Sequence, residues 1–413
     1  MTVTHSADET IDRNGLEPRE GTPIYLHLPF CAAKCHYCDF YSVPAEGQDV
    51  DGTLEAILRE IQLRAPRNPR TVFLGGGTPS LLEPRWLKRL LDELDRVTGF
   101  RSSAVEVTAE CNPESLDRDK AACLLDLGVR RLSIGFQSLR PETLALFGRV
   151  HDVQQSFAAF EAARAAGVRD LNVDLIYAVP GQRLEDWLRD LDTVLDLGPD
   201  HVSAYNLTFE EETLFKRWLD QGRLAPHPDE VELEYFWATR ERLTRSGRSP
   251  YEISNFSLSG RQCRHNVNYW HNGEYVGIGP SAVGKIGQTR AGNVRNLGEY
   301  RRRIAERGNA LEWSETPGGW ARLGETWWLG LRLTEGLSAA EAWSRADLDP
   351  RTSQSDPSAP VVRNLSEQGW LEAAGDRWRL SQKGWPVADA VAREFLRLRD
   401  EPTAAPKTCA PVP

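Results

Sequence analysis

The sequence predicts an α/β protein: a partial (β/α)6 barrel, then a C-terminal α+β extension, then a small winged-helix-like module. Three observations carry this prediction. Short apolar or β-branched runs alternate with helical stretches through the N-terminal half. The runs recur every ~25–45 residues, the rhythm of parallel βαβ units. Most of the runs end in residues that a plain turn does not require.

The expected strands are Ile24–Pro29, Thr71–Leu74, Ala104–Thr108, Arg131–Gly135, Leu171–Ile176 and His201–Leu207. Helices are expected around Leu54–Arg64, Pro84–Val97, Arg118–Leu127, Val153–Ala166 and Leu184–Leu197. Six units fall short of a closed eight-fold barrel, so residues 21–221 are read as an open one. Chemistry in such folds gathers at the C-terminal strand ends. Cys31–Cys38 follows the first run and Gly75–Pro79 ends the second. Glu110–Pro113 ends the third and Gly135–Ser138 the fourth, and Asp174 lies on the fifth, ahead of Tyr177–Gly181.

From about Gly222 the rhythm stops. In the region 222–345, Glu230–Ser246 reads as a helix and Tyr251–Gly284 as strands and loops. Asp349–Pro360 is a polar linker. The module at 360–400 combines a helix at Val362–Gly369, a wing-like hairpin at Trp370–Leu380 and a helical end at Gly384–Leu398. Residues 361–400 hold seven Lys/Arg against six Asp/Glu, which leaves no basic stripe for DNA and favours a structural or protein-docking role. A disordered leader is expected over 1–20 and a disordered tail over 401–413.

The chain has 413 residues, 40% of them hydrophobic, and a net charge of −10. That balance argues against a nucleic-acid partner and against a polybasic membrane anchor. No apolar run reaches the ~20 residues of a transmembrane helix. The polar N-terminus lacks the apolar core of a signal peptide, so a cytoplasmic protein is expected. Seven unevenly spread cysteines do not suit a disulfide framework.

Three of the cysteines, Cys31, Cys35 and Cys38, form C-x3-C-x2-C. Three soft thiolates this close suit an iron–sulfur cluster. A cubane held by three cysteines keeps one iron open to an amino and a carboxylate group. Competing readings are a zinc site using His36, a thioredoxin-like Cys35-x-x-Cys38, and ordinary core cysteines. The position directly after the first strand of a βα array favours the cluster.

The motif and its strand-end companions resemble the radical S-adenosylmethionine (SAM) superfamily. Tyr25-Leu-His-Leu-Pro-Phe-Cys31 is similar to its coproporphyrinogen III dehydrogenase (HemN-like) branch. The resemblance implies that Cys31, Cys35 and Cys38 hold a [4Fe–4S] cluster and that Tyr25 and Tyr37 flank it and bound SAM. It places Gly76, Gly77 and Thr78 against the SAM amino-acid moiety and makes Glu110 an acceptor for a SAM hydroxyl or ammonium. Gln137, Arg149 and Asp174 match further pocket positions. Ala178 stands where the family commonly has Gly, a small departure.

Two departures weigh against dehydrogenase activity. Phe40 occupies the position of that enzyme's fourth cysteine, and only 24 residues precede Tyr25, where the enzyme has a longer N-terminal segment. His265-Asn-x-x-Tyr269-Trp270 resembles instead the mark of the heme-chaperone (HemW) group, and Tyr251–Phe256 and Gly277–Ser281 fit the same group. The resemblance implies heme as a third cofactor, with His265 as axial ligand and Tyr269 and Trp270 against the porphyrin. Cys263, His27 and His151 are other candidate ligands, His151 fitting better at the edge of the SAM pocket. The implied partners are heme-accepting proteins, respiratory enzymes among them, met by peripheral contact at the membrane surface. The rival readings are the dehydrogenase itself and a radical SAM enzyme on another substrate in which His265 is structural.

Overall fold

The structure, a computed structural model, describes residues 16–352 and 355–398. Most of the expected leader and all of the expected tail at 401–413 lie outside the described residues. The chain forms two compact units. The first reaches to Tyr269 and resumes over Glu274–Glu315; the second takes Trp270–Gly273 and continues from Thr316.

The first unit is built on six parallel strands adjacent in chain order: β1 (Ile24–Leu28), β2 (Thr71–Gly76), β3 (Glu106–Cys111), β4 (Arg131–Gln137), β5 (Asp170–Tyr177) and β6 (His201–Asn206). Between them run α1 (Val50–Arg64), α2 (Pro84–Thr98), α3 (Arg118–Asp126), α4 (Val153–Ala165) and α5 (Leu184–Asp196). The helices start where side chains satisfy their free N–H groups. Asp49 caps α1, Asp117 caps α3, and Asp152 with Gln155 closes a capping box on α4. On α2, Trp86, Leu87, Leu90, Leu91 and Leu94 are buried along one face, which docks the helix on the sheet.

The sheet stays open. After α6 (Asp229–Arg245), β7 (Asn255–Ser257) adds antiparallel to β6. Beyond α7 (Arg264–Trp270), β8 (Val276–Ile278) adds parallel to β1. The helix α7 corrects the expectation of strands and loops over Tyr251–Gly284. An antiparallel sheet of β9 (Val283–Ile286), β10 (Thr289–Asn293) and β11 (Leu311–Glu315), with α8 (Leu297–Arg307), completes the unit as an α+β extension.

Period-two alternation sorts the barrel strands. Val107, Ala109 and Cys111 of β3 join the apolar core, as do Leu132, Ile134, Leu171 and Val173. The alternate positions are polar and bond to one another. Asn172 Nδ2 reaches Ser133 Oγ at 2.6 Å, Asp174 Oδ1 at 2.7 Å and Ser203 Oγ at 3.0 Å.

The second unit has the helix–strand–helix–helix–strand–strand order of a winged helix. It runs through α9 (Gly319–Gly330), β12 (Leu337–Ser338), α10 (Ala339–Arg345), α11 (Ala359–Glu367), β13 (Leu371–Ala374) and β14 (Arg377–Leu380). The expected hairpin is present. Its third strand, β12, lies ahead of the linker, so the stretch read as a module at 360–400 belongs to a unit that already includes the chain from Thr316.

Candidate functional site

The cysteine loop leaves β1 through a short strand at Phe30–Cys31, and glycines at the end of β2 hold it there. Gly77 N–H donates to Leu28 O at 2.8 Å and Thr78 N–H to Phe30 O at 2.7 Å. A Cβ on Gly77 would fall 2.4 Å from Phe30 O. Gly76, at φ +107°, would drive a Cβ into the His27 ring. The glycines therefore serve close packing under the cysteine loop, which the sequence reading assigned to ligand approach alone.

Cys31 is buried, while Cys35 and Cys38 are half-buried. Burial pushes the Cys31 and Cys38 thiols up, and neighbouring cations oppose it. Lys34 Nζ lies 3.9 Å from Cys38 Sγ, and Arg149 Nη1 lies 3.6 Å from Cys35 Sγ. Two cations beside three thiols suit an anionic thiolate-bound group. Among the described residues no three His, Cys, Asp or Glu side chains converge as for a single metal ion. A cubane asks for less, since each thiolate binds a different corner. His36, the fourth donor of the zinc alternative, turns to the protein: its Nδ1 lies 2.8 Å from Leu146 O, and its ring packs edge-on against Trp218. The donor set therefore fits a three-cysteine cluster better than a four-ligand zinc.

Arg149 ties this loop to the strand ends. Its Nη2 donates to Asn112 Oδ1 at 2.7 Å and to Gly135 O at 3.0 Å. Behind it, Glu114 and buried His151 lie 3.4 Å apart. Tyr37 stands edge-on to Phe147 and Phe215, with ring centroids 4.9 and 6.3 Å away. Gln137 sits at a register shift in β4 with φ +64°, so that its amide lies over Gly135. Ala178 also adopts a left-handed φ, +58°. A Cβ there costs roughly 1–2 kcal/mol, which gives the family's glycine a physical reason.

Two carboxyls face this mouth. Glu110 Oε2 accepts from Gly76 N–H at 3.2 Å. Burial, with the charge of Asp174 adding to it, pushes Glu110 up to about 8. Asp174 accepts from Ser133 Oγ at 2.9 Å and Asn172 Nδ2 at 2.7 Å; burial raises it too, against those bonds. Thr78 Oγ1 accepts from Asn112 Nδ2 at 2.9 Å. Tyr25 Oη meets His27 Nδ1 at 3.0 Å, and His27 Nε2 meets Tyr41 O at 2.9 Å. Tyr25 is therefore held by His27 rather than by the cysteines, and neither His27 nitrogen is open to a ligand. The structure brings Cys35, Arg149, Asn112 and Thr78 into one connected set. Lys34, Asn112 and Ser133 were missed in the sequence; only their places at or beside strand ends pointed to them.

His265, expected as the axial ligand of heme, lies in the interior of the first unit. It is wholly buried, with Nδ1 2.7 Å from Thr71 Oγ1, Nε2 2.8 Å from Tyr269 Oη, and its ring stacked on Phe73. Both nitrogens are hydrogen-bonded inside the protein. Burial lowers it to about 3. The helix α7 is a plug in the barrel. Glu106 holds its start, accepting from the N–H groups of Arg264 and His265 at 2.7 and 3.1 Å and from Cys263 Sγ at 3.4 Å. Cys263 is thereby also withdrawn as a ligand. Tyr269 is half-buried and packs on Tyr275, ring centroids 4.6 Å apart. Trp270 is half-buried, and the Arg332 guanidinium lies 4.7 Å over its ring.

The radical SAM superfamily profile matches residues 25–194, and the HemN C-terminal domain profile matches residues 319–387. The chain is 35% identical to the heme chaperone HemW of Bacillus subtilis (strain 168), over 90% of this chain and 98% of that one. It is 36% identical to HemW of Mycobacterium tuberculosis (strain ATCC 25618 / H37Rv), over 94% and 98%. Identity to HemW of Escherichia coli (strain K12) is 32%, over 90% and 97%. Among solved structures, coproporphyrinogen III oxidase (HemN) from Escherichia coli, described as a radical SAM enzyme, superposes with a TM-score of 0.78. At 24% identity over 92% of this chain and 91% of that one, it shares the fold.

Proposed function

Given that this chain belongs to the radical SAM superfamily and, within it, to the family of the heme chaperones HemW, we propose that it binds a [4Fe–4S] cluster, SAM and heme and passes heme to acceptor proteins. Similarity to HemW over nearly the full length of those chains carries the reading. Cys31, Cys35 and Cys38 would hold the cluster, with Arg149 and Lys34 offsetting its charge. Such a cluster, when bound, supplies the electron that cleaves SAM. Glu110, Asp174, Gln137 and the β2 end face the mouth in which SAM would lie. Respiratory enzymes at a membrane surface are the acceptor class in view, reached from the cytoplasm. Among the described residues no helix is long and apolar enough to cross a membrane.

With His265 buried and both its nitrogens hydrogen-bonded inside the protein, heme contact would fall to exposed apolar side chains beside the cysteine loop. Phe40 is 68% exposed and Val150 54% exposed. An exposed aromatic next to a charged loop suits a flat apolar ligand. The test is an anaerobic hemin titration of the cluster-reconstituted chain, with Phe40→Ser/Val150→Ser beside wild type. Saturable, near-stoichiometric binding that weakens several-fold in the double variant supports the reading. Unsaturable binding, together with SAM-dependent consumption of coproporphyrinogen III, replaces it with the dehydrogenase.

A further inference from the structure

The end of the sheet opposite the cysteines carries a different chemistry. A cavity of about 360 Å³ lies at the N-terminal ends of β3, β4 and β5. That volume falls in the ~300–1,000 Å³ range of small-molecule sites. Arg130, Arg131, Arg169, Arg261 and Arg264 line it, against the carboxylates of Glu106 and Asp170.

Those carboxylates do not cancel the arginines. Glu106 spends both oxygens on the start of α7. Asp170 is shared between Arg131 and Arg261 at 3.7 Å each, beyond good hydrogen-bond distance. Arg130 donates to the carbonyls of Leu125 and Val129, not to an acid. Arg169 and Arg264 are exposed, and neither guanidinium is engaged by a carboxylate among the described residues. Arg131 is only 3% exposed, yet its Nε has no hydrogen-bond partner, and neither has Asp170 Oδ1 beside it. A buried guanidinium with an open donor costs about 1–3 kcal/mol or more. That cost is maintained in a chain whose net charge is −10.

We propose that this cavity binds a ligand bearing two or more linked phosphate groups, of the pyrophosphate or nucleotide-polyphosphate class. Guanidinium forks match phosphate oxygens two at a time. Arginines contributed by two separate strand starts, by the turn before α7 and by the first residue of α7 need more than one anionic group to be satisfied together. The site lies at the far ends of the strands from Cys31, Glu110 and Asp174, so it is separate from the cysteine-loop mouth.

The experiment is calorimetric titration of the full-length chain with inorganic pyrophosphate at 0.15 M NaCl, using succinate as a dicarboxylate control. The variants are Arg169→Glu and Arg169→Glu/Arg264→Glu, both at exposed positions. Expected are one site per chain, at least tenfold weaker binding in the double variant, an intermediate loss in the single, and no saturable binding of succinate. ATP then competes for the same site. Unsaturable pyrophosphate binding, equal affinity in wild type and both variants, or succinate binding as tightly as pyrophosphate overturns the proposal. Thermal unfolding of each variant confirms that the folded chain is being read, and cluster content confirms that the cysteine end is unchanged.

Discussion

At the residue scale, burial decides what two conspicuous side chains do. His265 is expected as a ligand because the resemblance of His265-Asn-x-x-Tyr269-Trp270 to the heme-chaperone group implies it. The structure spends both its nitrogens on Thr71 and Tyr269. His265→Ala therefore opens a cavity and strands two hydroxyls, costing about 2–4 kcal/mol. Chemical denaturation measures that loss, and under the proposed function the folded variant takes up hemin as the wild type does. A stable variant that no longer binds hemin would return His265 to the heme site. Glu110 is the second case. Burial and the charge of Asp174 push its carboxyl up to about 8, above its ordinary 4.5. Folding therefore loses stability as pH rises from about 4.5 toward 8, because the unfolded chain has already released this proton. Glu110→Gln should gain stability relative to wild type at pH 8 and not at pH 4. A SAM hydroxyl or ammonium donating to Glu110 favours the ionised form, so SAM binding should expel a proton near pH 7 and tighten between pH 6 and 8. Calorimetry in two buffers of different ionisation enthalpy reads that proton, and Glu110→Gln should abolish it.

At the element scale, the strands and helices of the barrel were legible to within a few residues because each parallel unit writes its own signal: an apolar run, a turn, a capped amphipathic helix. The expected strand starts two residues early, at Ala104, because Ala104 and Val105 extend the apolar run while the ladder begins at Glu106. The short helix Pro141–Phe147 and α7 were not legible. With seven residues each, they are too short for a helical period to stand out. The polar lining of the barrel, which the sequence reading did not single out, follows the alternation Glu106-x-Thr108-x-Glu110 and Asp170-x-Asn172-x-Asp174. It says that an interior exists, and nothing in it names the helix that fills it. The glycines at the end of β2 were legible as special, but their partner was not, because close approach is a long-range fact. Gly77→Ala pushes a Cβ into Phe30 O, one residue before Cys31. The expected variant keeps its helical circular dichroism and loses most of its iron and sulfide after reconstitution. Full cluster content in that variant would mean that the loop tolerates displacement.

At the scale of the whole molecule, the parallel sheet carries a different chemistry at each end. The cysteines and the β2 glycines collect at one set of strand ends, with Arg149 and Lys34 beside the thiols, and five arginines gather around Glu106 and Asp170 at the other. The first gathering was legible, because the C-terminal ends of parallel strands are where loops meet. The second was not, because the arginines come from unrelated turns. The second unit raises a different question, since its element order is that of many DNA readers. Its charges answer it. Arg377 pairs with Glu341 and Glu335, Arg379 with Glu372, Arg332 with Asp389 and Arg397 with Glu394, so the cations near the wing are spent on neighbouring acids. Lys383 lies 3.8 Å over the Trp370 ring. Phosphate contacts supply nearly all non-specific DNA affinity, and a chain of net charge −10 repels the polyanion from a distance. Fluorescence anisotropy with duplex DNA at 0.15 M salt should accordingly show no binding up to ~50 μM protein, below the strength of ordinary non-specific complexes. Binding that falls steeply with added salt would expose a cationic face that these pairings do not leave free. Such a face would have to be sought among Arg363 and Arg393, which those ion pairs leave out.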